Sequence, residues 1–78
     1  MARVQRFSVT CSDATHTLVY RYPRLSRHLT LEIDGEAFKL PKGERQEPFI
    51  LGGEQAILCI ARDGRASIIV REGEVREE

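Results

Sequence analysis

Leu29-Thr30-Leu31-Glu32-Ile33-Asp34-Gly35-Glu36-Ala37-Phe38-Lys39-Leu40 decides the fold of this chain. An Asp-Gly step between two runs of alternating apolar residues is the chemistry of a two-residue type I′ turn, which needs positive φ at both central positions. A loop of that length fixes the register. Ile33 then faces Glu36, Leu31 faces Phe38 and Leu29 faces Leu40, while Thr30 with Lys39 and Glu32 with Ala37 fall on the opposite side. The hairpin has one oily face and one wet face, as antiparallel ribbons do when they cover a core on one side only.

The same dipeptide recurs at Asp63-Gly64 between two longer apolar runs. Read as the same turn, it pairs Ile57 with Val70, Cys59 with Ile68 and Ala61 with Ala66 on one face, and Leu58 with Ile69 and Ile60 with Ser67 on the other. Both faces are then apolar, so the hairpin is expected to be buried on both sides, or on one side with the other in a subunit interface through Leu58, Ile60 and Ile69. A third tight turn is predicted at Glu72-Gly73, placing Arg71 opposite Glu74 and Val70 opposite Val75, and Gly52-Gly53 reads as a further hairpin turn or bulge. Leu29 to Glu78 is thus expected to be a meander.

Upstream, Phe7, Val9 and Cys11 alternate, and Val4 is out of phase with them, which predicts a bulge or a strand that begins after Val4. A loop at Ser12-Asp13-Ala14 leads into a strand from about His16 to Tyr22, with Leu18, Tyr20 and Tyr22 on one face, closed by Pro23. The period of a helix is missing throughout, and Gly or Pro interrupts most candidate windows. The expected architecture is all-β: one domain over residues 1–78, a small antiparallel β-sandwich or partly open barrel of seven or eight short strands. A chain of 78 residues buries only about 60 to 65% of the surface it exposes when unfolded, so a homo-oligomer such as a dimer is expected.

A hydrophobic fraction of 41% with 31% charged residues is ordinary for a folded globular chain and argues against disorder. No apolar run is long enough to span a bilayer and no signal segment opens the chain, so a cytoplasmic protein without a membrane partner is expected. Cys11 and Cys59 are far apart and belong to no CxxC pair, and with only His16 and His28 beside them they predict buried thiols, no metal and no cofactor.

Charge supplies the one functional hint. The chain is neutral overall, yet residues 1–30 carry five arginines against Asp13 alone, a net +4 that the remainder balances. Tyr20, Arg21, Tyr22, Arg24, Arg27 and His28 form a compact cationic and aromatic segment. Arginine grips phosphate or carboxylate in bidentate fashion and tyrosine stacks on bases, so the segment is a candidate site for an anionic ligand or single-stranded nucleic acid. The bland reading is a solvated loop whose arginines pair with Glu72, Glu74, Glu77 and Glu78, and overall neutrality favours it.

No GxSxG elbow, phosphate-binding Gly loop or HExxH is present, and no spacing selects among Ser8, Ser12, Ser26, His16 and His28 as catalysts. Asp34 and Asp63 are accounted for by turn chemistry. The order of turns, from Ile33-Asp34-Gly35 through Phe49-x-x-Gly52 to Gly64 and Gly73, resembles the repeating hairpins of the Fas apoptosis inhibitory molecule β-sandwich domain. That resemblance covers roughly the last two thirds of the chain and implies a sandwich; the aromatic positions that mark the family are missing, and no site is carried from it. The expected function is a non-catalytic interaction module that self-associates through apolar sheet surface, the alternative being anion or single-stranded nucleic-acid binding by the 20–28 segment.

Overall fold

The computed structural model describes residues 2–12 and 14–78; Asp13 of the expected first loop lies outside them. Eight strands are formed: β1 (Arg3–Thr10), β2 (Thr15–Tyr22), β3 (His28–Ile33), β4 (Glu36–Pro41), β5 (Arg45–Leu51), β6 (Glu54–Ile60), β7 (Ala66–Val70) and β8 (Glu74–Glu77). They make two antiparallel sheets, β4-β3-β2-β1-β8 and β5-β6-β7, so the all-β expectation holds. Asp34 and Gly35 take φ of 49° and 90°, and the β3–β4 register is the one the turn dictates, Leu31 facing Phe38 and Leu29 facing Leu40. Gly52 and Gly53, at φ 57° and 83°, make a second such turn that pairs Leu51 with Glu54.

Asp63-Gly64 closes a different loop. Asp34 is the only non-glycine residue with positive φ among those described, so Asp63 does not take the conformation a type I′ turn requires. Instead Gly64 N–H donates to the Ala61 carbonyl and Ala61 N–H to the Arg65 carbonyl, both at 2.9 Å, while the Asp63 carboxylate accepts from Arg65 N–H. This is a tight turn followed by a glycine bulge. The extra residue moves the register by one: Leu58 faces Ile68, Cys59 faces Ser67 and Ile60 faces Ala66. A one-residue shift exchanges faces, so the hairpin is apolar chiefly on one side. Leu58 and Ile60, expected in an interface, are 0% and 3% exposed in the core, and only Ile69, at 55%, looks outward.

Two further expectations are corrected. Glu72-Gly73 makes no hairpin: β8 leaves β7 and crosses to pair with β1, placing Val75 against Val9 rather than Val70. The chain passes so close to β1 there that a Cβ on Gly73 would lie 2.4 Å from the Thr10 carbonyl oxygen. With the β4–β5 passage, this breaks the meander into two. At the start, β1 pairs with β2 without a bulge from Arg3 to Thr10, so Val4 points outward and Gln5 shares the inner face with Phe7 and Val9.

The core lies between the sheets and is built from Phe7, Val9, Leu18, Tyr20, Leu29, Leu31, Leu51, Leu58, Ile60 and Ile68 with smaller residues between them. Each fully buried leucine contributes about 1.5–3 kcal/mol. The sandwich is open along one side, where edge strands β4 and β5 flank an apolar groove lined by Leu31, Phe38, Leu40, Pro48, Phe49 and Ile50. Cys11 is buried at the end of β1 and Cys59 sits on the outer face of β6, with no disulfide between them. No helix is long and apolar enough to cross a membrane among the described residues.

Candidate functional site

Antiparallel pairing sends alternate connections to opposite ends of the sandwich, and two contacts fix which ends coincide. Tyr20 and Tyr22, at the close of β2, meet Gly64 in the β6–β7 loop; at the far end Thr10 meets Gly73. Loops 23–27, 42–44 and 61–65 therefore share one end with Arg3, whereas the β1–β2, β3–β4, β5–β6 and β7–β8 connections share the other.

The first end is held together by aromatic and lysine contacts. Tyr20 is fully buried and its hydroxyl donates to the Gly64 carbonyl at 2.8 Å, which fastens the 61–65 loop to β2. Burial pushes the Tyr20 phenol up to about 12. The Tyr22 ring packs under the same glycine, 3.1 Å from where a Cβ would stand. Lys42 places its ammonium 4.4 Å from the centre of that ring, a cation–π contact. It also donates to the Pro23 carbonyl, and its backbone N–H donates to the Arg27 carbonyl at 3.1 Å. Loop 23–27 is thus fixed at both shoulders, with Arg24, Leu25, Ser26 and Arg27 exposed on its tip.

The charges divide between the ends. The tyrosine end carries Arg3, Arg24, Arg27, Lys42, Arg45, Arg62 and Arg65 against Glu44 and Asp63, with Glu47 and Glu77 reaching Arg45 and Arg65 from the adjoining strands. Arg45 pairs with Glu47, and Arg65 lies 3.9 Å from Glu77. Arg3, Arg24, Arg27 and Arg62 form no ion pair among the described residues. The opposite end presents Asp34, Glu36, Glu54, Glu72 and Glu74 with Arg71. There the Asp34 carboxylate meets His16 Nδ1 at 2.7 Å and accepts from Thr17 N–H at 3.0 Å. Those bonds, the His16 one foremost, hold its carboxyl below the ordinary value.

The structure divides the six residues singled out in the sequence, because neighbours on a strand alternate faces. Tyr20 lies in the core, Tyr22 is half-buried beneath Lys42, and Arg21 points from the outer face into a 2.9 Å ion pair with Glu32. His28 is exposed at the start of β3. Arg24 and Arg27 stand exposed on the loop tip at the basic end, beside His28, and they do not pair with Glu72, Glu74, Glu77 or Glu78. Sequence reasoning missed Arg3, Lys42 and Arg62. Following chain direction through each turn would have found them, since that alone assigns every loop to an end.

Among the described residues no three His, Cys, Asp or Glu side chains converge to hold a metal ion. Comparison with protein-family models, with curated proteins and with solved structures finds no match.

Proposed function

We propose that this chain is a non-catalytic interaction module that engages an anionic partner through its basic end. The observation that carries the reading is the placing of Arg3, Arg24, Arg27 and Arg62, none in an ion pair among the described residues, at one end of the sandwich in a chain that is neutral overall. Guanidinium groups on two loops and at the start of β1, held by a rigid sandwich, suit bidentate contact with phosphate, sulfate or carboxylate. The test is to add a heparin oligosaccharide to isotope-labelled protein and map amide shift changes. They are expected on residues 23–27, 42–44 and 61–65. Absence of shifts at low salt, or shifts confined to the β4–β5 groove, contradicts the reading.

A second reading, self-association through apolar sheet surface, keeps one supporting observation: Phe38, Ile50 and Ile69 are 43%, 63% and 55% exposed. Sedimentation at high micromolar concentration tests it, with a dimer expected and a monomer contradicting it.

A further inference from the structure

Resting on the basic-end reading, we infer that the anionic partner is a lipid surface: the 23–27 loop docks on an acidic bilayer, arginines on the headgroups and Leu25 inserted between them. Leu25 is 93% exposed, the most solvent-accessible of the exposed large hydrophobic residues, and it sits between Arg24 and Arg27 at the loop tip. An apolar side chain flanked by unpaired cations gains nothing from a phosphodiester strand, but it matches the boundary between headgroups and acyl chains.

The loop is already ordered for this. Lys42 fastens the carbonyls of Pro23 and Arg24 and, through its backbone, that of Arg27, so the tip projects without further ordering on contact. The charge division fixes orientation. The eight-residue strands β1 and β2 set the two ends about 25 Å apart, roughly three times the Debye length of about 8 Å at physiological salt. With the basic end on an acidic surface, the acidic end is screened from it.

Single-stranded nucleic acid needs exposed rings to stack bases. Tyr20 is in the core, Tyr22 is covered by Lys42 and Gly64, Phe7 is in the core, and Phe38 and Phe49 line the open groove. The basic end therefore offers cations and a leucine without a stacking platform.

The experiment is co-sedimentation of the whole chain with vesicles of phosphatidylcholine alone, or with about a third phosphatidylserine, set beside binding to a single-stranded oligonucleotide at the same salt. Binding is expected on the phosphatidylserine vesicles, weakened about fivefold for each of Arg24→Ala and Arg27→Ala and severalfold by Leu25→Ser. These residues are exposed, so the variants fold. The chain has no tryptophan, and in Leu25→Trp the emission is expected to shift to the blue on phosphatidylserine vesicles and not on phosphatidylcholine. No vesicle binding at low salt, or binding that Leu25→Ser leaves unchanged, overturns the proposal. Oligonucleotide binding without vesicle binding overturns it while leaving the basic-end reading intact. If the chain binds neither vesicles, oligonucleotide nor heparin, both fall.

Discussion

The side-chain amide of Gln5 satisfies both backbone polar groups of Ala66: its Nε2 donates to the Ala66 carbonyl at 3.0 Å, and its Oε1 accepts from the Ala66 N–H at 2.8 Å. One glutamine stands where a neighbouring strand would, at the outer edge of β7, and joins the two sheets at the margin away from the β4–β5 groove. It is buried at 5% exposure, which an unpaired amide would not tolerate. Gln5→Leu is therefore expected to lower stability by about 2–4 kcal/mol, since it leaves a buried donor and acceptor unpaired. Urea unfolding checks this; a loss below about 0.5 kcal/mol would show that water replaces the amide.

Two glycines with positive φ are expected to respond unequally to alanine. Gly35→Ala meets nothing within 4 Å and costs the left-handed backbone penalty alone, about 1–2 kcal/mol. Gly73→Ala drives a Cβ against the Thr10 carbonyl at 2.4 Å where β8 crosses to β1, and it is expected to cost more than Gly35→Ala or to detach β8. Melting temperatures of the pair give the order.

Much of the fold could be read from sequence, and the failures have one physical cause. Asp34-Gly35 and Gly52-Gly53 keep the two-residue turn: Asp34 is held by His16 and Thr17, but nothing lies within 4 Å of a Cβ built on Gly35 or Gly53. Asp63-Gly64 is the same dipeptide as Asp34-Gly35, but Gly64 is gripped by the Tyr20 hydroxyl and the Tyr22 ring, from a strand more than forty residues away. Those contacts accompany the bulged loop, and the bulge moves Leu58 and Ile60 from a supposed interface into the core. Glu72-Gly73 failed likewise, because its conformation answers to Thr10. At the candidate site, Arg24 and Arg27 were legible as a local cluster, whereas Arg3, Lys42 and Arg62 join them only through topology.

Tyr20 couples stability to alkaline pH. Its phenol ionises near the ordinary 10.0 when unfolded and at about 12 when folded, so the folded state holds its proton more tightly. The contribution is complete below pH 10 and declines as pH rises from there towards 12. Tyr20→Phe is expected to remove that slope and, through loss of the bond to Gly64, to cost about 1 kcal/mol near neutrality. Unfolding free energies across this range decide it; an unchanged slope contradicts the assignment.

Asp34 works in the opposite direction. Its carboxyl is held below 3.8 chiefly by the His16 hydrogen bond, so its contribution is full above that value and is lost as pH falls through the lowered folded value. In His16→Gln the Asp34 carboxyl is expected to titrate closer to 3.8, as followed by carbon NMR of the side chain. An unmoved titration would assign the effect to Thr17 N–H instead.

The central claim is that the topology makes a polyanion-binding surface from arginines remote in sequence, and the salt dependence of heparin binding tests it most directly. Replacing Arg24, Arg27 and Arg62 by alanine together is expected to weaken binding and flatten the plot of log affinity against log salt by about one unit per cation removed. Replacing Arg71 and Arg76, which lie outside the basic end, is expected to leave both affinity and slope unchanged. Equal losses in the two variants, or no binding by the unaltered chain at low salt, would contradict the account.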